Sequence, residues 1–207
     1  MTAPDETLPR FGDYVLLREL GVGASATVVE ARHAPTGAPV ALKIPHPHLQ
    51  SSAIVREASL AAAVRSPFVV AVRGIAEHRG DVALVLELVR GASLAARHGQ
   101  PLPPLDVLRL AGQLAAGLAA IHGARDGSRT LGLVHGDVSP ANVLLAEDGR
   151  ALLTDFGLAR ARAVTALSQT GGISGTPGYV APEVLRGAAP SPEADVFSLG
   201  VVLWEAL

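Results

Sequence analysis

Short apolar runs separated by turn residues dominate the first part of the chain, and this pattern predicts β-strands. The strand-like runs lie at 14–17, from Val28 onward, at 40–44 and at 82–89. Runs of this length and composition are typical of strands in folded proteins. One helix is expected between Ser52 and Val64, and Ser66-Pro67 ends it because proline breaks a helix. The pattern therefore predicts a strand-rich region with a single helix.

The middle of the chain changes to helical periodicity. A helix is predicted to start at Pro101 to Pro104 and to stop at Gly123. Its apolar residues recur at helical spacing: Val107, Leu110, Leu114, Leu118 and Ile121. Such a stripe is the packing face of a core helix rather than a ligand site. A further apolar stretch, Val196 to Leu207, is too short to span a membrane.

Composition narrows the class of protein only slightly. A chain of 207 residues that is 49% hydrophobic can bury a sizeable core in one domain. The net charge of −2 provides no basic surface for nucleic acid, and the absence of cysteine excludes disulfides and thiolate zinc sites. The residues before Phe11 lack the apolar segment of a signal peptide, so we expect a cytoplasmic location.

Three residues with metal-competent oxygens, Asp137, Asn142 and Asp155, lie in one short stretch with strand-like runs between them. Magnesium prefers carboxylate and amide oxygens and takes the rest of its shell from water and substrate phosphates. The spacing therefore suggests a site for magnesium and a phosphate ester. If each residue stood alone, a turn would be the better interpretation, because 139–142 also carries turn chemistry.

A glycine-rich stretch, 20–29, lies between two strand-like runs. Its glycines would let backbone amides approach phosphate oxygens, although such a stretch by itself is more often a hairpin turn. A strand follows it rather than a helix, which argues against a dinucleotide-binding turn. Lys43 stands alone in the next apolar run, ahead of a helix that carries Glu57. We interpret Lys43 as a phosphate-binding lysine held by that carboxylate.

Three more motifs complete the pattern. They are Asp155-Phe156-Gly157, the segment GTPGYVAPE from Gly175 to Glu183, and the segment DVFSLG from Asp195 to Gly200. With the glycine-rich stretch and the lysine, these motifs stand in the order typical of eukaryotic-type serine/threonine protein kinases. The chain resembles a bacterial member of that family from about Phe11 to Leu207.

The resemblance implies an α+β, two-lobed kinase-like fold. Its parts would be a tail over 1–10, a small β-rich N-lobe over 11–89, a hinge at 87–91 and a helical C-lobe over 92–207 that lacks its last helices. The helix that carries Asp195 would be the buried helix F. Because the chain ends within or just after this helix, we expect a fragment of a longer kinase or a protein whose helix F a partner covers. Glu183 would then be a buried carboxylate without its usual arginine partner.

The resemblance also implies ATP and Mg²⁺ as cofactors and a protein with a serine or threonine acceptor as substrate. Asp137 would orient the acceptor hydroxyl and accept its proton. Asn142 and Asp155 would hold Mg²⁺ against the phosphates. Lys43 would bind the α and β phosphates, and Glu57 would position Lys43.

The remaining implied contacts form the ATP site. The phosphate loop would consist of Leu20, Gly21, Val22, Gly23, Ala24, Ser25 and Ala26. The adenine ring would be contacted by the side chains of Val28, Ala41 and Leu144, by Leu86 as the gate of the pocket, and by the backbone of Glu87 and Val89.

Two departures from the family pattern concern the transferred phosphate. Ala26 replaces the third glycine of the phosphate loop, and we expect ATP binding to survive this change. Ser139 replaces a lysine that touches the transferred phosphate, so slower catalysis is expected. Thr176 can still hydrogen-bond towards Asp137, which favours serine or threonine as the acceptor.

A third departure concerns regulation. Gly136 stands where many members carry an arginine that binds a phosphate on the activation loop. We therefore expect that phosphorylation of Thr165, Ser168 or Thr170 is not an absolute requirement for activity.

Two other functions stay open. A nucleotide-binding pseudokinase or scaffold is favoured by Gly136, Ser139 and the end of the chain at helix F, and is disfavoured by the intact catalytic residues. A small-molecule phosphotransferase of the aminoglycoside or choline kinase type is suggested by His135-Gly136-Asp137 with Asn142. That family lacks the segment Ala181-Pro182-Glu183, which argues against it.

Overall fold

The computed structural model describes residues 8–23, 25–46, 55, 58–156, 176 and 178–207, and these residues form two compact units. The first unit comprises the described residues up to Ala62 together with Ala71–Val89. The second comprises Ala63–Val70 and the described residues from Arg90 onward.

The first unit is a six-stranded antiparallel sheet with the order β1-β2-β3-β4-β6-β5. The strands are β1 (Arg10–Phe11), β2 (Tyr14–Val22), β3 (Ala26–His33), β4 (Pro39–Pro45), β5 (Val72–His78) and β6 (Asp81–Glu87). Helical residues lie at 55 and 58–61, inside the range predicted for the single helix. The predicted strands are confirmed, although β2 is longer than the apolar run that indicated it.

The position of each strand in the sheet explains its sequence. β4 and β6 lie inside the sheet, and both are nearly continuous apolar runs whose central residues are buried. The core of this unit consists of Phe11, Ala31, Val40, Leu42, Ala76, Ala83 and Val85. Lys43, within β4, is only 5% exposed. A buried lysine in a central strand is uncommon enough to indicate a specific role.

The second unit combines helices with short sheets. The helices are α1 (Pro104–His122), α2 (Pro182–Leu185) and α3 (Pro192–Ala206), with 3-10 helices at Leu94–Arg97 and Pro140–Asn142. A three-stranded sheet has the order β11-β10-β7, and a small hairpin pairs β8 with β9. These strands are β7 (Gly91–Ser93), β8 (Arg125–Asp126), β9 (Arg129–Thr130), β10 (Val143–Ala146) and β11 (Ala151–Leu153).

Helix α1 is the centre of the second unit and packs against α3 and β11. All five residues of the predicted apolar stripe are buried, and Gly123 caps the helix, as predicted. Among the described residues, α1 is also the one helix with the length and apolar composition of a membrane span. Its buried stripe lies inside the unit, as in the core helix of a folded domain.

The segment 63–70 packs in the second unit, although it lies inside the range 11–89 that the resemblance implies for the N-lobe. The backbone N–H of Val70 donates to the carbonyl of Leu153 at 2.9 Å, and the N–H of Leu153 donates to the carbonyl of Phe68 at 2.9 Å. Gly117 of α1 lies so close to this segment that a Cβ atom there would be 2.8 Å from the Phe68 carbonyl oxygen. The division at Val89/Arg90 falls within the range where the hinge was predicted.

Helix α3 is buried on one face only within the described part of the chain. Its buried residues include Asp195, Ser198 and Val202, whereas Phe197 is 42% and Trp204 is 77% exposed. Glu183, at the start of α2, is exposed. The expectation that Glu183 is a buried, stranded carboxylate is therefore wrong, because its carboxylate remains in contact with water.

The close approach at Gly117 predicts a large difference between two glycines of α1. Gly117→Ala should lower the free energy of unfolding by about 1 to 3 kcal/mol, because the added methyl group overpacks against the Phe68 carbonyl. Gly112→Ala is the matched control, since a Cβ there meets no described atom within 4 Å. That change should be neutral or raise stability by about 0.5 to 1 kcal/mol. Urea unfolding measures both, and equal effects would contradict the packing described.

Candidate catalytic site

The carboxylate of Asp195 holds the loop that leads to Asp137. The backbone N–H of His135 donates to Asp195 Oδ2 at 2.7 Å, and the N–H of Gly136 donates to Oδ1 at 2.7 Å. His122 Nε2, at the end of α1, lies 2.8 Å from Asp195 Oδ2. Asp195 itself is only 2% exposed. A buried carboxylate needs hydrogen-bond donors, and these three groups donate to it, two on Oδ2 and one on Oδ1.

Gly136 turns the loop in a conformation that favours glycine. Its φ of +76° lies in the left-handed region, where a side chain costs about 1 kcal/mol. Gly136 therefore presents its N–H to the Asp195 carboxylate without backbone strain.

The carboxylate of Asp137 is held on both oxygens. Asn142 Nδ2 donates to Oδ2 at 3.0 Å, and Thr176 donates to Oδ1 through its backbone N–H at 2.9 Å and through its hydroxyl at 2.8 Å. The expected hydrogen bond from Thr176 to Asp137 is thus confirmed. Three donors from two segments orient this carboxylate.

The side-chain amide of Asn142 is oriented by the same network. Nδ2 donates to the carbonyl of Asp137 at 2.8 Å as well as to its carboxylate, so the amide oxygen is the atom left for another ligand. The backbone N–H of Thr154 donates to the Asn142 carbonyl at 3.0 Å, which places the neighbouring Asp155 close to Asn142. The contact brings the two backbone segments together, and a shared ligand of the Asn142 and Asp155 side chains stays a prediction.

Asp155 adopts the left-handed backbone conformation with φ of +62°. Such a conformation is uncommon for a residue with a side chain and is often found at functional sites. One carboxylate and one amide oxygen suit Mg²⁺, which usually completes its shell with water and phosphate oxygens. Among the described residues, no group of three or more histidine, cysteine, aspartate or glutamate side chains could form an all-protein metal cage.

His135 supports the loop from inside the unit. Its side chain is fully buried, its Nδ1 lies 3.3 Å from the backbone nitrogen of Asp137, and its ring contacts Phe156 in a tilted arrangement. Burial lowers the pKa of His135 below its usual 6.5, although the charges of Asp195 and Asp137 act in the opposite direction. The neutral ring accepts the Asp137 N–H on Nδ1.

The first unit carries the residues predicted to bind phosphate. The glycine-rich stretch forms the hairpin between β2 and β3, with the N–H of Gly23 donating to the Ala26 carbonyl at 2.8 Å. Lys43 of β4 is the register partner of Val28 on β3. Ala24 and Glu57 lie outside the described residues. The hairpin expected from the sequence is therefore present, and the Lys43–Glu57 pair stays a prediction.

Most residues predicted around adenine also lie in the first unit. Ala41 of β4 pairs directly with Leu86 of β6, and both are buried. The backbone N–H of Glu87 donates to the Ala71 carbonyl at 2.9 Å, so only another atom of Glu87 could meet a ligand. Leu144, on β10, belongs to the second unit.

The role of Asp195 was missed in the sequence analysis, although the motif that contains it was recognised. An acidic residue in the first turn of a helix is usually explained by the helix dipole. The sequence does contain a signal that Asp195 is buried and not simply placed at the helix start for the dipole. Most of its neighbours in 194–202 are apolar, which indicates a buried position.

Comparison with known proteins identifies relatives of the whole chain. The family model described as protein kinase domain matches residues 14–207. The probable serine/threonine-protein kinase pknA2 of Bifidobacterium longum is 35% identical over 208 residues, covering 95% of this chain and 26% of that protein. The serine/threonine-protein kinase pkn2 of Myxococcus xanthus is 37% identical, and the match covers 100% of this chain and 25% of that protein. The serine/threonine-protein kinase PknD of Mycobacterium tuberculosis is 36% identical, and the match covers 96% of this chain and 30% of that protein. The chain spans about a quarter to a third of the length of these relatives.

The hydrogen bonds to Asp195 predict a large loss of stability on Asp195→Asn. An amide offers one acceptor oxygen and points an NH₂ group at a backbone donor, so the free energy of unfolding should fall by about 2 to 4 kcal/mol. Asp126→Asn, at the exposed end of β8, should change it by less than about 0.5 kcal/mol. Urea unfolding followed by circular dichroism compares the two. Equal effects would show that Asp195 does not anchor the loop.

The buried, neutral His135 predicts a pH dependence of stability. The unfolded chain protonates this histidine near pH 6.5, whereas the folded protein resists protonation. Unfolding therefore takes up a proton below that pH, and the stability that the neutral ring contributes is lost as the pH falls below about 6.5. His135→Gln removes the titrating group and should flatten this part of the curve. Parallel curves for the two proteins, measured by urea unfolding at several pH values, would contradict the prediction.

Proposed function

Because this chain belongs to the protein kinase domain family, we propose that it transfers the γ-phosphoryl group of ATP to a serine or threonine hydroxyl of a protein. The relatives named as serine/threonine-protein kinases support this choice over a small-molecule phosphotransferase. The single observation that carries the proposal is the Asp137 carboxylate, which is oriented on both oxygens by Asn142 and Thr176.

The hydrogen bonds to Asp137 define where an acceptor hydroxyl can approach. Each carboxylate oxygen offers about two lone pairs. Oδ1 accepts two hydrogen bonds from Thr176, whereas Oδ2 accepts one from Asn142. The acceptor hydroxyl would therefore donate to Oδ2, where Asp137 can orient the hydroxyl and accept its proton. Thr176 would act by holding the carboxylate in this direction.

Asn142 and Asp155 would hold Mg²⁺ in this proposal, with the Asn142 amide oxygen as one ligand atom. When bound, the ion would neutralise charge on the β and γ phosphates. Lys43 would bind the α and β phosphates from the first unit, with Glu57 as its partner. The hairpin that contains Gly21 and Gly23 would cover the phosphates with backbone amides.

Ser139 would leave the site with one positive charge fewer than most relatives. It has no exposed surface and follows Asp137 by two positions on the same loop. Since phosphoryl transfer depends mainly on positioning and electrostatic stabilisation, the loss of a cation should slow the reaction without abolishing it.

The test of the proposed function uses labelled ATP, Mg²⁺ and a generic basic protein acceptor. The wild-type chain should transfer label to serine or threonine, and Asp137→Asn should reduce the rate by about a hundredfold or more, because the base is lost. Asp126→Asn serves as the control and should retain the wild-type rate. Equal rates for wild type and Asp137→Asn would contradict the assignment of the base. Absence of label in all three proteins would favour the pseudokinase alternative.

A second test concerns phosphorylation of the activation segment. Gly136 has no side chain to bind a phosphate, so activity should persist after phosphatase treatment and in a variant with Thr165, Ser168 and Thr170 all changed to alanine. These three residues lie outside the described part of the chain. Transfer rates before and after treatment provide the measurement. Complete loss of activity that returns on phosphorylation of the segment would show that another group binds the phosphate.

A further inference from the structure

The tip of the glycine-rich hairpin, between Val22 and Ala26, is tied to the end of β4 by a residue that the proposed mechanism does not use. The pairing of β3 with β4 runs as far as Ala26 and Pro45. Proline has no N–H, so Pro45 cannot donate to the neighbouring strand. The next residue does so instead, because the N–H of His46 donates to the Ser25 carbonyl at 2.9 Å. The hydrogen-bonded ladder therefore continues one residue pair beyond the strands, into the hairpin tip.

The sequence around the tip restricts its backbone further. Pro47 follows His46, and proline disfavours helical backbone at the residue before it, which suits the continued ladder. Ala26 is only 5% exposed, and its carbonyl accepts the N–H of Gly23 at 2.8 Å. Alanine also has fewer backbone conformations than glycine. The hairpin tip is therefore more constrained than a loop with glycine at all three positions would be.

The His46 side chain reaches the hairpin from the core side of the sheet. Thr27 is the register partner of Ile44, and side chains alternate along a strand, so Thr27, Ile44 and His46 share one face. On that face Ile44 packs against the core of the first unit. His46 Nε2 lies 3.4 Å from the Thr27 hydroxyl oxygen, which is long for a hydrogen bond. Lys43 and its partner Val28 lie on the opposite face. The imidazole therefore contacts the hairpin from the side opposite Lys43.

We propose that His46 is a positioning residue for the phosphates of ATP, which holds the hairpin tip through its N–H and Thr27 through its ring. The proposal rests on the proposed function, because it takes the hairpin to cover the phosphates of a bound nucleotide. A loop that is ordered before binding loses less conformational entropy when the ligand binds. The ring of His46 should therefore strengthen the binding of ADP and ATP. Adenosine has no phosphate for the hairpin to cover, so its binding should not depend on this ring.

The experiment measures the dissociation constants of ADP with Mg²⁺ and of adenosine by isothermal titration calorimetry. His46→Ala should weaken ADP binding roughly two- to fivefold, as for the loss of one weak hydrogen bond, and leave adenosine binding unchanged. His46→Gln can keep a side-chain nitrogen near Thr27 and should retain most of the affinity. His33→Ala is the matched control, since His33 Nδ1 lies 2.8 Å from the Thr36 hydroxyl at the other end of β3. Its affinity for ADP should equal that of the wild type.

A double-mutant cycle tests the contact between the ring and the hydroxyl. Thr27→Val keeps the shape of the side chain and removes its hydroxyl, so it should weaken ADP binding by about the same factor as His46→Ala. The double variant should bind ADP no more weakly than either single variant, because both changes remove one shared interaction. Factors that multiply in the double variant would show that the two side chains act independently, and would overturn the proposed contact.

The selectivity for phosphate separates positioning from a general effect on the fold. Unchanged ADP affinity in His46→Ala, or an equal loss of affinity for adenosine, would overturn the role of His46. If neither ADP nor adenosine bound to the wild-type chain, the ATP site itself would be contradicted, and this role with it. Binding of ADP without transfer of label to a protein acceptor would contradict the proposed function alone, since the comparison of variants needs no phosphoryl transfer.

Discussion

The Asp195 carboxylate is the constraint on which the arrangement of the site depends. A buried carboxylate must receive hydrogen bonds, and the backbone amides of His135 and Gly136 must find acceptors. The two amides donate to the Asp195 carboxylate at 2.7 Å each, so the carboxylate gains donors and the amides gain an acceptor. The direction in which the chain enters Asp137 follows from these bonds and from the left-handed turn at Gly136. Asn142 and Thr176 can then meet a carboxylate that already has a defined place.

The same carboxylate connects the site to the hydrophobic core. Asp195 lies in the first turn of α3, and His122 at the end of α1 approaches it at 2.8 Å. α1 packs in turn on β11, which precedes Asp155. The two segments that carry Asn142 and Asp155 are therefore supported by the packing of α1 and α3. A change deep in this core should affect the geometry of the proposed active site without touching a reacting group.

Local patterns in the sequence predicted much of this structure, and contacts between distant residues account for what was missed. The apolar stripe of α1 and the central strands were predictable because periodicity and burial act within one element. The closeness of Asp137, Asn142 and Thr176 was predictable from family motifs. The bond between Asp195 and His135 joins residues 60 positions apart, and no periodicity reports such a pair. The packing of 63–70 against Gly117 and the exposure of Glu183 likewise depend on tertiary context.

The most direct test of this account is amide hydrogen exchange at His135 and Gly136, measured by NMR in the wild-type chain and in Asp195→Asn. If the carboxylate holds the loop, both amides should exchange slowly in the wild type, and their protection should fall sharply in the variant while that of buried α1 amides changes less. Rapid exchange of both amides in the wild type, or unchanged protection in Asp195→Asn, would contradict the central role of Asp195.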